Sequence, residues 1–308
     1  MLPPKTCTFE CIYCQLGRTV NKVSKPEEVK TSVNKERVIE ELKLTLKRVD
    51  LDSIDYITFS GTGEPTLNLM IGEMVSGIRG LLKEKCPPIA ILTNSSLIFR
   101  DDVAENLCSF DLVMAKLDAP YEELFERINR PAQDIRLSKI INGLKKFRRR
   151  YRGKLVAQIM LLRDQSLNID NTKRDIVEGL VELVEEVKFD EVYLNTPWRP
   201  PLVSTIKPLN ANELKDIAKH FLKVLSENRI HYFKGVHDVR PCYVEKLNEN
   251  EVLSLLKRRP CRFYDIVAVF NIRDPSSLKE LSRILDQLKE KGLIDMIRYQ
   301  GETYYRGI

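Results

Sequence analysis

Apolar residues return along this chain in two alternating rhythms. Short apolar, β-branched or aromatic runs at 56–60, 89–93, 112–117, 155–161, 191–195 and 231–234 predict buried strands. Between them, apolar residues recur at helical spacing over 70–84, 101–107, 120–128, 136–150, 171–187 and 212–226. Ahead of the first strand, Val38, Ile39, Leu42, Leu46 and Val49 share one helical face, and Asn34 before them reads as an N-cap. Strands separated by helices imply an α/β fold with a parallel sheet, open or closed into a barrel. Ligands then gather at the C-terminal ends of the strands. After His237 the rhythm changes. Helices are expected at about 248–258, 262–269 and 276–291, the third with Leu278, Leu281, Ile284, Leu285 and Leu288 on its apolar face. A hairpin turned at Gln300-Gly301 closes this part. The expected division is 1–238 and 245–308.

Composition changes this picture little. At 308 residues, with 31% charged and 43% hydrophobic residues, the chain suits one large α/β domain and a small appendage. No apolar run reaches membrane-spanning length. A net charge of +6 permits an anionic partner without demanding one. The seven cysteines are odd in number, and a reducing cytoplasmic setting is the natural expectation.

Candidate chemistry is concentrated in two motifs. The first is Cys7-Thr-Phe-Glu-Cys11-Ile-Tyr-Cys14, three thiols on a segment short enough to converge on one point. Soft thiolates select zinc or an iron–sulfur cluster. Structural zinc wants four closed ligands, and no fourth cysteine or histidine follows at a finger-like distance, although a distant fourth ligand stays open. Three ligands on a four-iron cluster leave one iron free to bind a small molecule. The second motif, Ser60-Gly-Thr-Gly-Glu-Pro-Thr-Leu-Asn68, follows the strand 56–60. Gly61 and Gly63 let the backbone approach a ligand, and Glu64 can accept from an ammonium group.

The C-x3-C-x2-C run, with Tyr13 before its last cysteine, resembles the signature of radical S-adenosylmethionine (SAM) enzymes. The Gly-Thr-Gly-Glu-Pro turn is similar to the turn that binds the SAM amino group in that family, one residue off its commonest form. The stretches Leu-Pro-Pro-Lys-Thr-Cys, Cys-Gln-Leu-Gly-Arg-Thr and Leu-Asn-Thr-Pro-Trp-Arg-Pro-Pro resemble archaeal and bacterial Fe–S oxidoreductase-type members, distant relatives of the wyosine-synthesis enzymes. The C-terminal element order resembles a winged helix-turn-helix domain.

This resemblance implies a partial (β/α)6 barrel in which Cys7, Cys11 and Cys14 hold a [4Fe–4S] cluster. It implies reductive cleavage of S-adenosyl-L-methionine to a 5′-deoxyadenosyl radical that takes a hydrogen from substrate. The electron would come from a ferredoxin- or flavodoxin-like donor or a chemical reductant. A tRNA or nucleotide base is the leading substrate class, and a peptide or small molecule the alternative. A different class of reading is an iron–sulfur redox sensor with a DNA-binding output. In the family a barrel strand precedes the cluster loop, but only Met1–Thr6, with two prolines, precedes Cys7 here. The expectation is a chain that begins late, with the sheet starting at Tyr56 and one edge open.

Further candidates follow the strands. Tyr13 is expected either beside the SAM adenine or as a core aromatic. Asn94 is placed to bind cofactor or substrate, or to cap a turn. Lys116 and Asp118 fall on one face if the strand 112–117 runs through both. They would meet the SAM carboxylate and a hydroxyl, or pair with each other. Gln158 interrupts an apolar strand and needs a partner, and Asn195 ends the next strand before the Trp198 loop. Arg127 and Arg130 are expected to reach an anionic substrate or to tie a loop down. The basic run 145–154 ends a helix, where cations are favoured without any ligand. Cys86, Cys108, Cys242 and Cys261 are expected as buried free thiols.

Overall fold

The computed structural model describes residues 2–3, 5–29, 33–47, 49, 51–232 and 247–308. The chain opens with β1 (Thr6–Cys7) and β2 (Asn21–Lys22), two short strands paired in parallel. Then come α1 (Lys35–Leu46), β3 (Ile57–Phe59), α2 (Ile71–Leu82), β4 (Ile89–Thr93), α3 (Asp101–Leu107) and β5 (Leu112–Lys116). Next are α4 (Glu122–Asn129), α5 (Leu137–Arg150), β6 (Lys154–Met160), and a small antiparallel pair, β7 (Arg163–Asp164) and β8 (Ile169–Asp170). The elements α6 (Arg174–Val187), β9 (Glu191–Asn195), α7 (Ala211–Phe221) and β10 (Ile230–Tyr232) complete this part.

Six strands form one parallel sheet in the order β10-β9-β6-β5-β4-β3. Each successive strand is added beside the one before it, as helical crossovers require. The sheet is open. It begins at the strand expected from position 56, with β3 as an edge. The two-residue β1 lies outside it.

Alternation along the strands divides the two faces. Ile91, Val113, Ala115, Leu155, Ala157, Ile159, Val192 and Leu194 point into the main core beneath the helices. Ala90, Leu112 and Val156 pack on the other face with Met114 and Tyr193. Towards the strand ends this second face turns polar. The register sets Lys116 opposite Gln158, Gln158 opposite Tyr193, and Met160 opposite Asn195. Against α2, α1 buries no residue fully, and Val38, Ile39 and Leu42 are only partly covered. Its cap is as expected, with Asn34 accepting from the Arg37 N–H. At α7 a full capping box joins Asn210 and Glu213.

The C-terminal part contains α8 (Glu249–Arg258), β11 (Cys261–Arg262), α9 (Phe263–Val269), α10 (Pro275–Glu290), β12 (Ile294–Tyr299) and β13 (Glu302–Gly307). It has its own core, with Leu255, Ile266, Leu281, Leu285 and Leu288 at its centre. The hairpin turns at Gln300 and Gly301, whose φ values of 51° and 78° are both left-handed, as a two-residue hairpin loop requires. Strand β11, which periodicity had not shown, pairs with β13. The boundary expected between 238 and 245 and the thiol Cys242 lie outside the described residues.

Among the described residues, no helix is long and apolar enough to cross a membrane.

Candidate active site

A cavity of about 360 Å³ opens at the C-terminal ends of the sheet strands. Cys7, Cys11 and Cys14 line it from the N-terminal loop, and Gly61, Gly63 and Glu64 from the turn after β3. Asn94, Lys116, Gln158 and Asn195 line it from the ends of β4, β5, β6 and β9. Tyr13 completes the wall on one side and the 196–199 loop on the other. Eleven of the site residues expected from sequence meet in this one place, among them all three motif cysteines.

The cysteine loop and the glycine turn are stitched together by backbone. Lys5 donates its N–H to the Thr62 carbonyl at 2.8 Å, and Glu64 donates to the Thr6 carbonyl at 3.1 Å. The fit leaves no room at Gly63: a Cβ there would stand 1.9 Å from the Thr6 oxygen. Within the loop, Cys14 N–H donates to the Cys11 carbonyl and Gly17 N–H to that of Cys14, each at 3.0 Å. These turns bring the thiols to the same wall.

The donor set suits an iron–sulfur cluster. Two of the sulfurs already face N–H groups, which tune a thiolate ligand. Cys7 Sγ receives the Phe9 N–H at 3.4 Å and Asn94 Nδ2 at 3.6 Å, and Cys11 Sγ receives Asn129 Nδ2 at 3.5 Å. Burial pushes both thiols up, with the Glu64 carboxylate adding at Cys7, and Cys11 reaches about 12. Among the described residues, no three His, Cys, Asp or Glu side chains are already closed about a metal position.

Glu64 is buried, and its carboxylate is held from several sides. Oε1 accepts from Thr93 Oγ1 at 2.6 Å, Thr66 Oγ1 at 2.7 Å and Thr66 N–H at 3.1 Å. Oε2 accepts from the Asn94 N–H at 2.7 Å. Burial raises its pKa, and these donors pull it back. The carboxylate thus locks the turn after β3 to the end of β4, and Oε2, with one donor, is the oxygen left freer for a ligand. Glu64→Gln sets an amide N–H against groups that are all donors. It should destabilise the fold by about 1–3 kcal/mol, read from the urea midpoint. An unchanged midpoint would mean that the carboxylate does not hold the turn.

Asp118 departs from its expected role. Strand β5 ends at Lys116, so the alternation that would have put both on one face stops before Asp118. Its carboxylate is buried away from the main cavity. It accepts from the Tyr13 hydroxyl, Asn129 Nδ2 at 2.7 Å and the Met160 N–H at 2.9 Å. Among the described ion pairs, none joins it to Lys116. Lys116 instead sits over the Tyr13 ring, 4.9 Å from its centre. Asp118 therefore fixes Tyr13 in the wall rather than facing a cofactor itself. Tyr13 is both core aromatic and cavity lining. Asn94 likewise plays both parts, since its Nδ2 donates to Thr8 Oγ1 at 2.7 Å and its Oδ1 accepts from Ser96 N–H at 3.0 Å. Gln158 Nε2 faces Met114 Sδ at 3.2 Å.

Other expectations resolve simply. Arg127 ties down the loop after β7 through the Leu167 and Asn168 carbonyls, at 2.5 and 2.9 Å. Arg130 is the left-handed cap of α4. In the basic run, Lys145, Lys146, Arg148 and Lys154 pair with Glu186, Asp101, Asp190 and Glu191. Most of its charge is thus spent within the fold. Cys261 is buried as expected, but Cys86 is half-buried and Cys108 exposed. Cys108 caps the short helix α3 at the surface, where periodicity gives no sign of which face is covered.

Sequence reading missed Asn129, Thr66, Thr93 and Arg199. Asn129 and the threonines carry no local signature, because their role lies in reaching distant elements. Arg199 had a signal in the proline-flanked Trp-Arg pair. Its guanidinium stacks on Trp198 at 3.7 Å and donates to Gln15 Oε1 at 3.3 Å. The loop that carries it is held by the C-terminal part. Tyr299 donates its hydroxyl to the Pro197 carbonyl at 2.5 Å, and Tyr304 to that of Trp198 at 3.1 Å.

Comparison with known proteins speaks to family and fold. The family model for the radical SAM superfamily matches residues 1–176. The UPF0026 protein MJ1312 of Methanocaldococcus jannaschii is 31% identical over 304 residues, covering 99% of this chain and 89% of that protein. The fold is similar to that of Streptococcus suis SuiB bound to S-adenosylmethionine, with a TM-score of 0.54 and 16% identity over 82% of this chain. The match takes in 53% of SuiB, so this chain spans about half its length. A radical SAM methyltransferase from Sphaerobacter thermophilus gives a TM-score of 0.53 at 16% identity, over 77% of this chain and 66% of that one. At such identities the two structures speak to the fold alone.

Proposed function

From the premise that this chain belongs to the radical SAM superfamily, we propose that its cavity is the active site and that Cys7, Cys11 and Cys14 hold the cluster. Enzymes of this superfamily use a [4Fe–4S] cluster and S-adenosylmethionine. When bound, that pair supplies one-electron cleavage of SAM to a radical that can take a hydrogen atom from a substrate.

The protein's part is to bind, orient and exclude water. Gly61 and Gly63 would let backbone approach the ligand, and Glu64 Oε2 would accept from the SAM ammonium while Oε1, held by Thr66 and Thr93, keeps the turn rigid. Lys116 and Gln158, opposite each other, and Asn195, two residues further along the next strand, would meet the polar groups of cofactor and substrate. Tyr13, fixed by Asp118 and Asn129, closes the wall. An external one-electron donor of ferredoxin or flavodoxin type, or a chemical reductant, supplies the electron. The substrate class most compatible with the motifs is a tRNA or nucleotide base. A peptide or small molecule is the alternative.

One observation carries this reading: three thiols and the Gly61–Glu64 turn line the same cavity. A redox sensor would need the thiols but not the turn.

Protein reconstituted anaerobically with iron and sulfide should hold about four irons. With dithionite and SAM it should release 5′-deoxyadenosine and methionine. A full cluster without any SAM cleavage would favour the sensor and count against the enzyme.

A further inference from the structure

We propose that Arg199 and Arg259 form a subsite for an oxyanion carried by the substrate, a phosphate or a carboxylate. The subsite lies where the cavity meets the C-terminal part. It deepens the active-site reading and rests on it.

Arg199 lines the cavity. Its Nε is enclosed and has no hydrogen-bond partner among the described residues, and the same holds for the Nε of Arg259 at the end of α8. Tyr304, which holds the Trp198 carbonyl, pairs across the C-terminal sheet with Arg262, three residues after Arg259. Burial lowers the Arg199 pKa to about 10, and the charge of Arg259 adds to the effect. Buried guanidinium groups are normally paired with carboxylates. The nearest acidic group does not serve. Asp265 is gripped by its own neighbour, with Arg262 NH2 at 2.9 Å, Nε at 3.2 Å and the backbone N–H at 2.9 Å. Asp265 still favours the Arg199 charge from a distance, but among the described ion pairs neither Arg199 nor Arg259 has a carboxylate of its own. A bound oxyanion supplies that counter-charge, and the planar forks of two arginines match phosphate or carboxylate geometry.

The position points to substrate rather than SAM. Arg199 follows β9, whereas the glycine turn follows β3, four strand spacings away in the sheet order. The other cation of the cavity, Lys116, stands between them on the central strand β5. The subsite also explains why the loop is anchored from outside. Tyr299 and Tyr304 hold the Pro197 and Trp198 carbonyls and so fix Arg199 relative to Arg259.

Trp198, the chain's single tryptophan, lies against Arg199 and reports on the subsite. The reconstituted full-length protein would be titrated with inorganic phosphate, with acetate, and with chloride at matched ionic strength, following Trp198 fluorescence. The expected result is a saturable response to phosphate or acetate that chloride does not reproduce. The stronger of the two identifies the substrate group. Arg259→Gln should weaken that response about tenfold or more, and Arg259→Lys should restore part of it.

A response that follows ionic strength alone, or one unchanged in Arg259→Gln, would overturn the subsite. Competition between phosphate and SAM would also overturn it, by giving the anion site to the cofactor. Scoring SAM cleavage on the same preparation separates the two claims. Cleavage without anion binding removes the subsite alone, and anion binding without cleavage removes the enzyme reading alone.

Discussion

Cys11→Ala protein, reconstituted anaerobically, is expected to lose most of its iron and all SAM cleavage above background. Among the described residues, Cys11 supplies one of three cysteine sulfurs in the cavity, and no spare described thiol stands beside them to replace it. The other cysteines lie elsewhere among the described residues: Cys86 and Cys108 border the outer helices, and Cys261 belongs to the C-terminal core. The loss also strands Asn129, whose Nδ2 faces the Cys11 sulfur at 3.5 Å while also holding Asp118. The matched control is Cys108→Ala, which removes an exposed thiol and should leave iron content and cleavage at wild-type levels. Full iron and intact cleavage in Cys11→Ala would end the cluster assignment.

Gly63→Ala should be almost as damaging, for a different reason. The new methyl would stand 1.9 Å from the Thr6 oxygen and 2.9 Å from its carbonyl carbon. Neither is the movable end of a side chain. The overlap must push apart the cysteine loop and the glycine turn, whose contact includes the Glu64 N–H to Thr6 carbonyl bond at 3.1 Å. Overpacking of this kind costs about 1–3 kcal/mol, and cluster occupancy should fall with it. Gly61→Ala separates fold from function. Its methyl would meet only the Gly63 nitrogen, at 3.9 Å, so the fold should tolerate it. Urea midpoints and iron content of the two variants decide the matter. A Gly63→Ala protein with wild-type midpoint and full iron would show that this contact does not anchor the loop.

The elements of the main sheet were largely legible because each is encoded over a few consecutive residues. Strands β4 and β9 and helix α3 fall at 89–93, 191–195 and 101–107, where apolar periodicity placed them. The cysteine run and the glycine turn were legible for the same reason, since their spacing is itself the signal. The Gln300-Gly301 turn was readable because left-handed backbone restricts residue choice. Gln158 stood out as a polar break in an apolar strand, and the register sets it beside Lys116.

What only the tertiary structure decided lies between elements. Asp118 was misread because alternation carries information only while the strand lasts, and β5 stops two residues earlier. Glu64 is saturated with donors because Thr93 and Asn94 arrive from the next strand, at a register that no window around position 64 contains. Asn129 meets Cys11 across 118 residues of chain. The loop that carries Arg199 is held in place by a separately cored C-terminal part, whose hairpin tyrosines bond the Pro197 and Trp198 carbonyls. Local sequence sets backbone preference and which side of an element is apolar. The partner of a buried polar group is set by how elements from distant parts of the chain come to rest against one another, and there the site acquired its charge and its rigidity.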